Sequence, residues 1–305
     1  MNPYVLSILL GIIEGLTEFL PVSSTAHLRI AEALMGVDLS SGYWKMYSIV
    51  IQLGAILTLP IYFRARLWEF AKTFPSGSDG RHTWWNHPVT LTGIAFVVTA
   101  VPSLLLTKLI GKNLESLYVM GISLVAGGVV MWVVDAFYGM PRVARGTSRG
   151  ARSMGAAAAG YRTEDVNQMT LGQSVWIGAC QVFSAVFPGT SRSMATIAAG
   201  QTAGMSRPAA LEFSFLLSIP TMAAATGYDL FKSLRHKTGG GEIGVAPRNP
   251  HEWLVLAIGL VVSFIVAYAV VAWFMNWVRK HGFVPFAIYR ILAGAAVLAW
   301  VLKLG

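Results

Sequence analysis

The chain is predicted to be an all-α integral membrane protein, with about six transmembrane helices plus two re-entrant helix hairpins in inverted-topology repeats. Three observations predict it. The sequence is 55% hydrophobic and only 12% charged, with a mean hydropathy of +0.59, a composition of polytopic membrane proteins rather than globular domains. Six apolar stretches reach the roughly 20 residues that a bilayer crossing needs. Two further apolar regions are each interrupted by a proline-centred polar cluster, EGLTEFLPVSSTAHL at residues 14–28 and QVFSAVFPGTSRS at residues 181–193. Carboxylates, hydroxyls and an arginine are expensive in hydrocarbon, so such clusters point to a site rather than to surface decoration.

In chain order, residues 3–20 are apolar and run into Pro21, then Ser23, Ser24 and Thr25, then a shorter apolar piece ending near Gly36. Proline cannot continue a helix ladder, and serine or threonine is a preferred cap for the next helix, so this region reads as two short helices joined by a polar turn. Spans are expected at 45–63, 89–109 and 114–138. The segment 139–170 is rich in Gly, Ala and Arg and reads as a mobile, topology-setting cytoplasmic loop. Residues 171–187 then run into Pro188, Gly189, Thr190, Ser191, Arg192 and Ser193, followed by a small-residue piece ending near Gly204. Further spans are expected at 208–232, 252–277 and 284–303. Irregular backbone at membrane depth is tolerated only where protein or a watery cavity surrounds it.

The two broken regions resemble each other. With Pro21 laid on Pro188, Glu14 meets Gln181, Leu20 meets Phe187, Ser23 meets Thr190 and Ser24 meets Ser191. The expected organisation is a single membrane domain built from a first repeat (about 1–138, hairpin 3–35) and a second (about 171–305, hairpin 171–204). Three spans separate the hairpins, and an odd number would place their entrances on opposite faces with the tips meeting inside the bilayer.

Charge excludes some classes. The net charge of +9 resides in loops between apolar runs and forms no stripe interleaved with exposed aromatics, so contact with lipid headgroups is expected and nucleic acid is not. The basic residues are slightly more numerous on the face carrying Arg64, Arg66 and Lys72, which favours both termini outside the cytoplasm. Cys180 is the sole cysteine, so no intrachain disulfide is available. No lysine or arginine precedes Arg29, so the first apolar run lacks the basic start of a cleaved signal peptide and is expected to be retained.

The chemistry is expected at the tips. Glu14 and Glu18 share one helix face; they would hold a divalent cation, or one would act as a base, or one would simply bond the opposite hairpin. Ser23, Ser24 and Thr25 stand where a helix begins, suited to capping it, to offering backbone N–H groups to a phosphate, or to supplying a nucleophile. His27 falls within one turn of Ser24 as a supporting acid, base or phosphate contact. Arg192, flanked by Thr190, Ser191 and Ser193, is suited to bidentate binding of phosphate oxygens or to an ion pair with Glu14 or Glu18. Asp135, Glu212, Asp229 and Arg290 read as boundary or packing residues, with Arg290 a secondary phosphate contact.

EGLTEFLPVSSTAHL and PGTSRS resemble the two signature motifs of the bacterial undecaprenyl-diphosphate phosphatases, also called bacitracin-resistance proteins, and IQLGAIL near Gln52 and EFSFLLSIP near Glu212 extend the likeness along the chain. The resemblance implies a multi-pass enzyme of the bacterial inner membrane that removes the terminal phosphate of undecaprenyl diphosphate, regenerating the carrier lipid for peptidoglycan, with its site on the outer side. It implies catalytic roles for Glu14, Glu18, Ser24, His27 and Arg192; phosphate contacts are expected, from their place at the helix starts, of Ser23, Thr25, Thr190, Ser191 and Ser193. A Mg²⁺ or Ca²⁺ on Glu14 and Glu18 is the expected cofactor. Expected partners are the lipid substrate, membrane lipids and, as an option, a second copy in a homodimer. Met194 and Ala26 stand where the family pattern leads one to expect glycine, which implies tighter packing at the tips. The competing class is a lipid-phosphate flippase or ion-coupled transporter, for which inverted repeats and broken helices are also a signature.

Overall fold

The computed structural model describes residues 2–38, 42–77, 80, 82–106, 116–139, 163–235 and 245–304. Most of the Gly/Ala/Arg segment, and with it many of the basic residues used to weigh topology, lies outside the described residues. The helices are α1 (Pro3–Thr17), α2 (Ser24–Met35), α3 (Gly42–Tyr62), α4 (Arg64–Thr73), α5 (Pro88–Leu105), α6 (Leu117–Tyr138), α7 (Leu171–Val186), α8 (Arg192–Thr202), α9 (Arg207–Arg235), α10 (Pro250–Val278) and α11 (Val284–Leu304). Among the described residues no strand is present, and six helices are long and apolar enough to cross a membrane: α3, α5, α6, α9 up to Phe231, α10 and α11. The chain is a multi-pass, all-α membrane protein.

α1 and α7 are apolar but short, at 15 and 16 residues; at 1.5 Å per residue each measures about 23 Å, less than the ~30 Å hydrocarbon core. Each ends at a proline-containing turn and is followed by a second short helix packed against it. α4 was not foreseen. Its Arg66 joins Asp165 at 2.7 Å and Glu212 at 3.0 Å, so Glu212 is an ion-pair partner and not merely a residue at a span end.

Small residues decide how the short helices sit. Ser7 Oγ of α1 donates to the Val255 carbonyl of α10 at 2.7 Å, and Ser174 Oγ of α7 donates to the Leu91 carbonyl of α5 at 2.6 Å. One turn on, Gly11 lies against the Gly259 carbonyl and Gly178 against the Ala95 carbonyl, where an added Cβ would come within 2.9 Å and 2.6 Å. Close backbone approach through small residues is the usual way helices associate without a hydrophobic drive between them. Ser7 with Ser174, Gly11 with Gly178 and Glu14 with Gln181 keep one constant spacing. Each short helix thus leans on a span from the other half of the chain.

Charge ties several helix ends together. Asp135, buried on α6, accepts from Arg207 Nε at 2.7 Å, Gln201 Nε2 at 3.1 Å and the Phe283 backbone N–H at 2.9 Å. This carboxylate therefore joins α6, α8, α9 and the start of α11. The apolar core around it gathers Phe213, Phe215, Phe274 and Phe283 with Phe19 of the first turn, whose ring meets Phe215 edge-on at 5.4 Å. That contact fixes the first turn against α9.

Candidate active site

The two turns end alike. Ser23 (φ 75°, ψ 97°) and Ser191 (φ 70°, ψ 119°) are the two non-glycine residues with positive φ among those described, a conformation that L-residues rarely adopt and that concentrates at functional sites. Each is the cap of the helix that follows. Ser23 Oγ accepts from the Ala26 N–H at 3.5 Å and Ser191 Oγ from the Met194 N–H at 3.3 Å. The turn-to-turn correspondence is therefore Ser23 with Ser191, one residue from the pairing with Thr190 that aligning the prolines suggests. The second copy holds one more residue between Gln181 and Ser191 than the first holds between Glu14 and Ser23. In consequence Ser24 corresponds to Arg192, each the first residue of its helix.

Both reach one carboxylate. Glu18, the residue after α1, is 7% exposed; its Oε2 accepts from Ser24 Oγ at 2.5 Å and its Oε1 from Arg192 Nη2 at 3.1 Å. Glu14, one turn earlier, is 1% exposed, and no N–H or hydroxyl donor of the protein reaches its carboxylate oxygens, which lie beside the Glu18 carboxylate. Arg192 Nη1, Ser193 Oγ and Gln181 Oε1 are likewise buried and unpartnered, and Arg192 lies within electrostatic range of both glutamates. Buried polar atoms are nearly always satisfied, so five orphaned atoms on the two short helices and their turns call for a ligand.

The remaining expected residues divide. Ser23 and Ser191 use their hydroxyls as caps. Thr25 is exposed. Thr190 offers its carbonyl to Arg290. His27 Nδ1 bonds the Ser23 carbonyl at 2.7 Å and Nε2 bonds Tyr289 Oη at 2.6 Å, with the two rings stacked at 5.6 Å. A carbonyl only accepts, so Nδ1 carries a proton and donates it to the Ser23 carbonyl. His27 thereby braces the strained Ser23, a supporting place rather than a direct bond to Glu18.

Arg290 departs from its expected role. It is fully buried, and Nη1 donates to the Pro21 carbonyl at 2.9 Å while Nη2 donates to the carbonyls of Gly189 and Thr190 at 3.0 Å and Ser123 at 3.2 Å. Both outer nitrogens are engaged by backbone, so it staples the two turns together instead of meeting phosphate. Gly127 leaves it room, since a Cβ there would collide with Nη2. Sequence reasoning undervalued Arg290; its signal was a lone arginine in the middle of an apolar span. The two departures at the tips, Ala26 and Met194, are both buried, Ala26 clustering with Met120 and Leu124.

A family model described as bacitracin resistance protein BacA matches residues 7–296. The chain belongs to the BacA family. Among curated relatives, an undecaprenyl-diphosphatase of Koribacter versatilis is 62% identical over 304 residues, covering 99% of this chain and all of that protein. Undecaprenyl-diphosphatases of Caldanaerobacter subterraneus (35% over 298 residues, 98% of this chain and 96% of the relative) and Xanthomonas euvesicatoria (36% over 302 residues, 99% and 98%) are similar along their whole lengths. The BacA match runs from within α1 to within α11 and includes both turns, so the paired tips belong to the family's shared region.

Proposed function

We propose that this chain hydrolyses undecaprenyl diphosphate to undecaprenyl phosphate and inorganic phosphate, as its relatives' names describe for them. The observation that carries the reading at the site is the convergence of Ser24 and Arg192 on Glu18, ringed by unsatisfied buried polar atoms. A phosphatase needs a nucleophile beside a base, a cation for the phosphoryl oxygens and little else, because phosphoryl transfer is dominated by positioning and charge neutralisation.

In this scheme Arg192 turns its free Nη1, and Ser193 its free hydroxyl, to oxygens of the terminal phosphate. Ser24 Oγ attacks the phosphorus as its proton passes to Glu18 Oε2, and the bridging oxygen leaves with undecaprenyl phosphate. Glu18 gives that proton up to the departing undecaprenyl phosphate or to solvent, and water then attacks the phosphoserine phosphorus as its proton passes through Glu18 to the leaving Ser24 Oγ, freeing inorganic phosphate. The competing route has Ser24 orient a water that Glu18 activates.

The donor set suits a divalent cation. Among the described residues no group of three or more His, Cys, Asp or Glu side chains could hold a metal alone, but Glu14 presents two buried, partnerless carboxylate oxygens. Mg²⁺ usually takes one or two carboxylates and completes its shell with substrate phosphates and water. Glu14, with Glu18 beside it, would hold the ion, which when bound neutralises charge on the diphosphate. The reading also takes the two helix pairs as re-entrant and inverted, in the bacterial inner membrane, with the site opening outward.

The test is the purified chain in detergent with undecaprenyl diphosphate. Phosphate should appear, require a divalent metal, and disappear in Glu18→Ala and Arg192→Ala. Absence of release, with lipid still crossing reconstituted vesicles, would put a flippase in its place.

A further inference from the structure

The two short helices meet their neighbours alike at first and differently at the end. α1 follows α10 through Ser7, Gly11 and then Gly15, where a Cβ would lie 2.7 Å from Val266 Cβ and 2.8 Å from the Ser263 carbonyl. The first turn's helix is therefore closed on its neighbour almost to Glu18. α7 follows α5 through Ser174 and Gly178, with Thr99 Oγ1 sealing the contact on the Gly178 carbonyl at 2.8 Å. At the constant spacing, however, the counterpart of Gly15 is Val182. A branched side chain there prevents the close approach that glycine permits.

The helices part at that point. Between them runs an apolar groove of about 440 Å³, lined by Val98 and Pro102 of α5 with Leu106 just beyond it, and by Val182 and Val186 of α7 with Phe187 beyond it. The size falls in the about 300–1,000 Å³ range of ligand sites. Phe183 and Phe187 stand exposed along it. Ser174 meets Leu91 and Gly178 meets Ala95, so α5 and α7 run parallel; the groove's closed end is at Thr99, and its other end reaches Phe187 at the threshold of the turn that carries Arg192.

We propose that this groove seats the isoprene units next to the diphosphate while the phosphates lie at Glu18, Ser24 and Arg192, an inference that rests on the hydrolase reading. The argument is continuity with that site. A diphosphate on an apolar chain must leave a polar pocket by an apolar exit, and the corresponding seam on the α1 side is shut by Gly15. The α7 side is open, and its α7 wall ends at Phe187, where the turn that leads to Arg192 begins.

The experiment uses the full wild-type chain in detergent with a long-chain prenyl diphosphate analogue carrying a benzophenone on the isoprene nearest the phosphates. Adducts are expected within residues 98–106 or 179–187 and should be suppressed by excess undecaprenyl diphosphate. Competable adducts confined to α1 and α10, or adducts in the groove that excess substrate leaves in place, as ordinary lipid occupancy would give, overturn the assignment. In Val182→Trp, the kcat/KM preference for undecaprenyl over isopentenyl diphosphate should fall by about tenfold; an unchanged preference also overturns it. Failure of the wild type to release phosphate from either substrate sinks the hydrolase reading itself, and the groove assignment with it.

Discussion

Ser24 and Arg192 occupy the same position in two different turns, each the first helical residue after a serine with left-handed φ, and both donate to the single carboxylate of Glu18. Repetition of a backbone shape has delivered unlike chemistry to one point: a hydroxyl from one copy, a cation from the other. Neither half holds a complete site.

Arginine at 192 should matter by shape as well as by charge. Arg192→Ala is expected to lower phosphate release by about 10²–10³-fold, and Arg192→Lys to fall between that variant and the wild type, because an ammonium cannot reach Glu18 and a phosphate in one rigid fork. Steady-state phosphate assays on both variants decide it; a lysine variant equal to wild type would reduce the guanidinium to a point charge.

Ser24 Oγ donates to Glu18, and if Ser24 is the nucleophile of the proposed scheme a covalent intermediate must form. Acid quenching of the enzyme during turnover of undecaprenyl diphosphate labelled in its terminal phosphate should leave label on Ser24, and Ser24→Ala should retain neither label nor appreciable turnover. Substantial turnover in the alanine variant would assign the attack to water.

Glu14 should reveal itself through the metal. Chelation is expected to abolish activity and Mg²⁺ or Ca²⁺ to restore it, and Glu14→Gln should raise the half-saturating metal concentration by about 10–100-fold. Titration of activity against free metal measures this directly. An unchanged midpoint would leave the partnerless carboxylate without its ion.

Stability separates two glycines. Gly15→Leu drives a side chain into Val266 and the Ser263 carbonyl and should cost about 1–3 kcal/mol, visible as a lower Tm in detergent. Gly93→Ala, with open space around it, should leave Tm unchanged or slightly raised, since alanine is the better helix former.

Hydropathy made the spans legible to within a few residues: the stretches at 45–63 and 252–277 became Gly42–Tyr62 and Pro250–Val278. The tips were legible too, because Pro21 and Pro188 break apolar runs and serines follow. Two things were not. Partner choice across the halves depends on side chains as small as Ser7, Gly11 and Gly178; their four-residue spacing marks a close-packing face but does not say which span lies against it. The one-residue offset between the turns was hidden because aligning prolines matches residue types, whereas the backbone aligns on the left-handed caps Ser23 and Ser191. Arg290 shows the same limit, as its four carbonyl partners come from three separate stretches of chain.

That staple bears on biosynthesis. The ribosome makes both turns long before it makes α11, and until residue 290 has been added neither Pro21 nor Gly189 has the donor that holds them side by side. On the proposed scheme, hydrolytic competence is thus deferred until α11 is in place, and a nascent chain stalled short of it would carry Ser24, Glu18 and Arg192 without the donor that sets their two turns side by side.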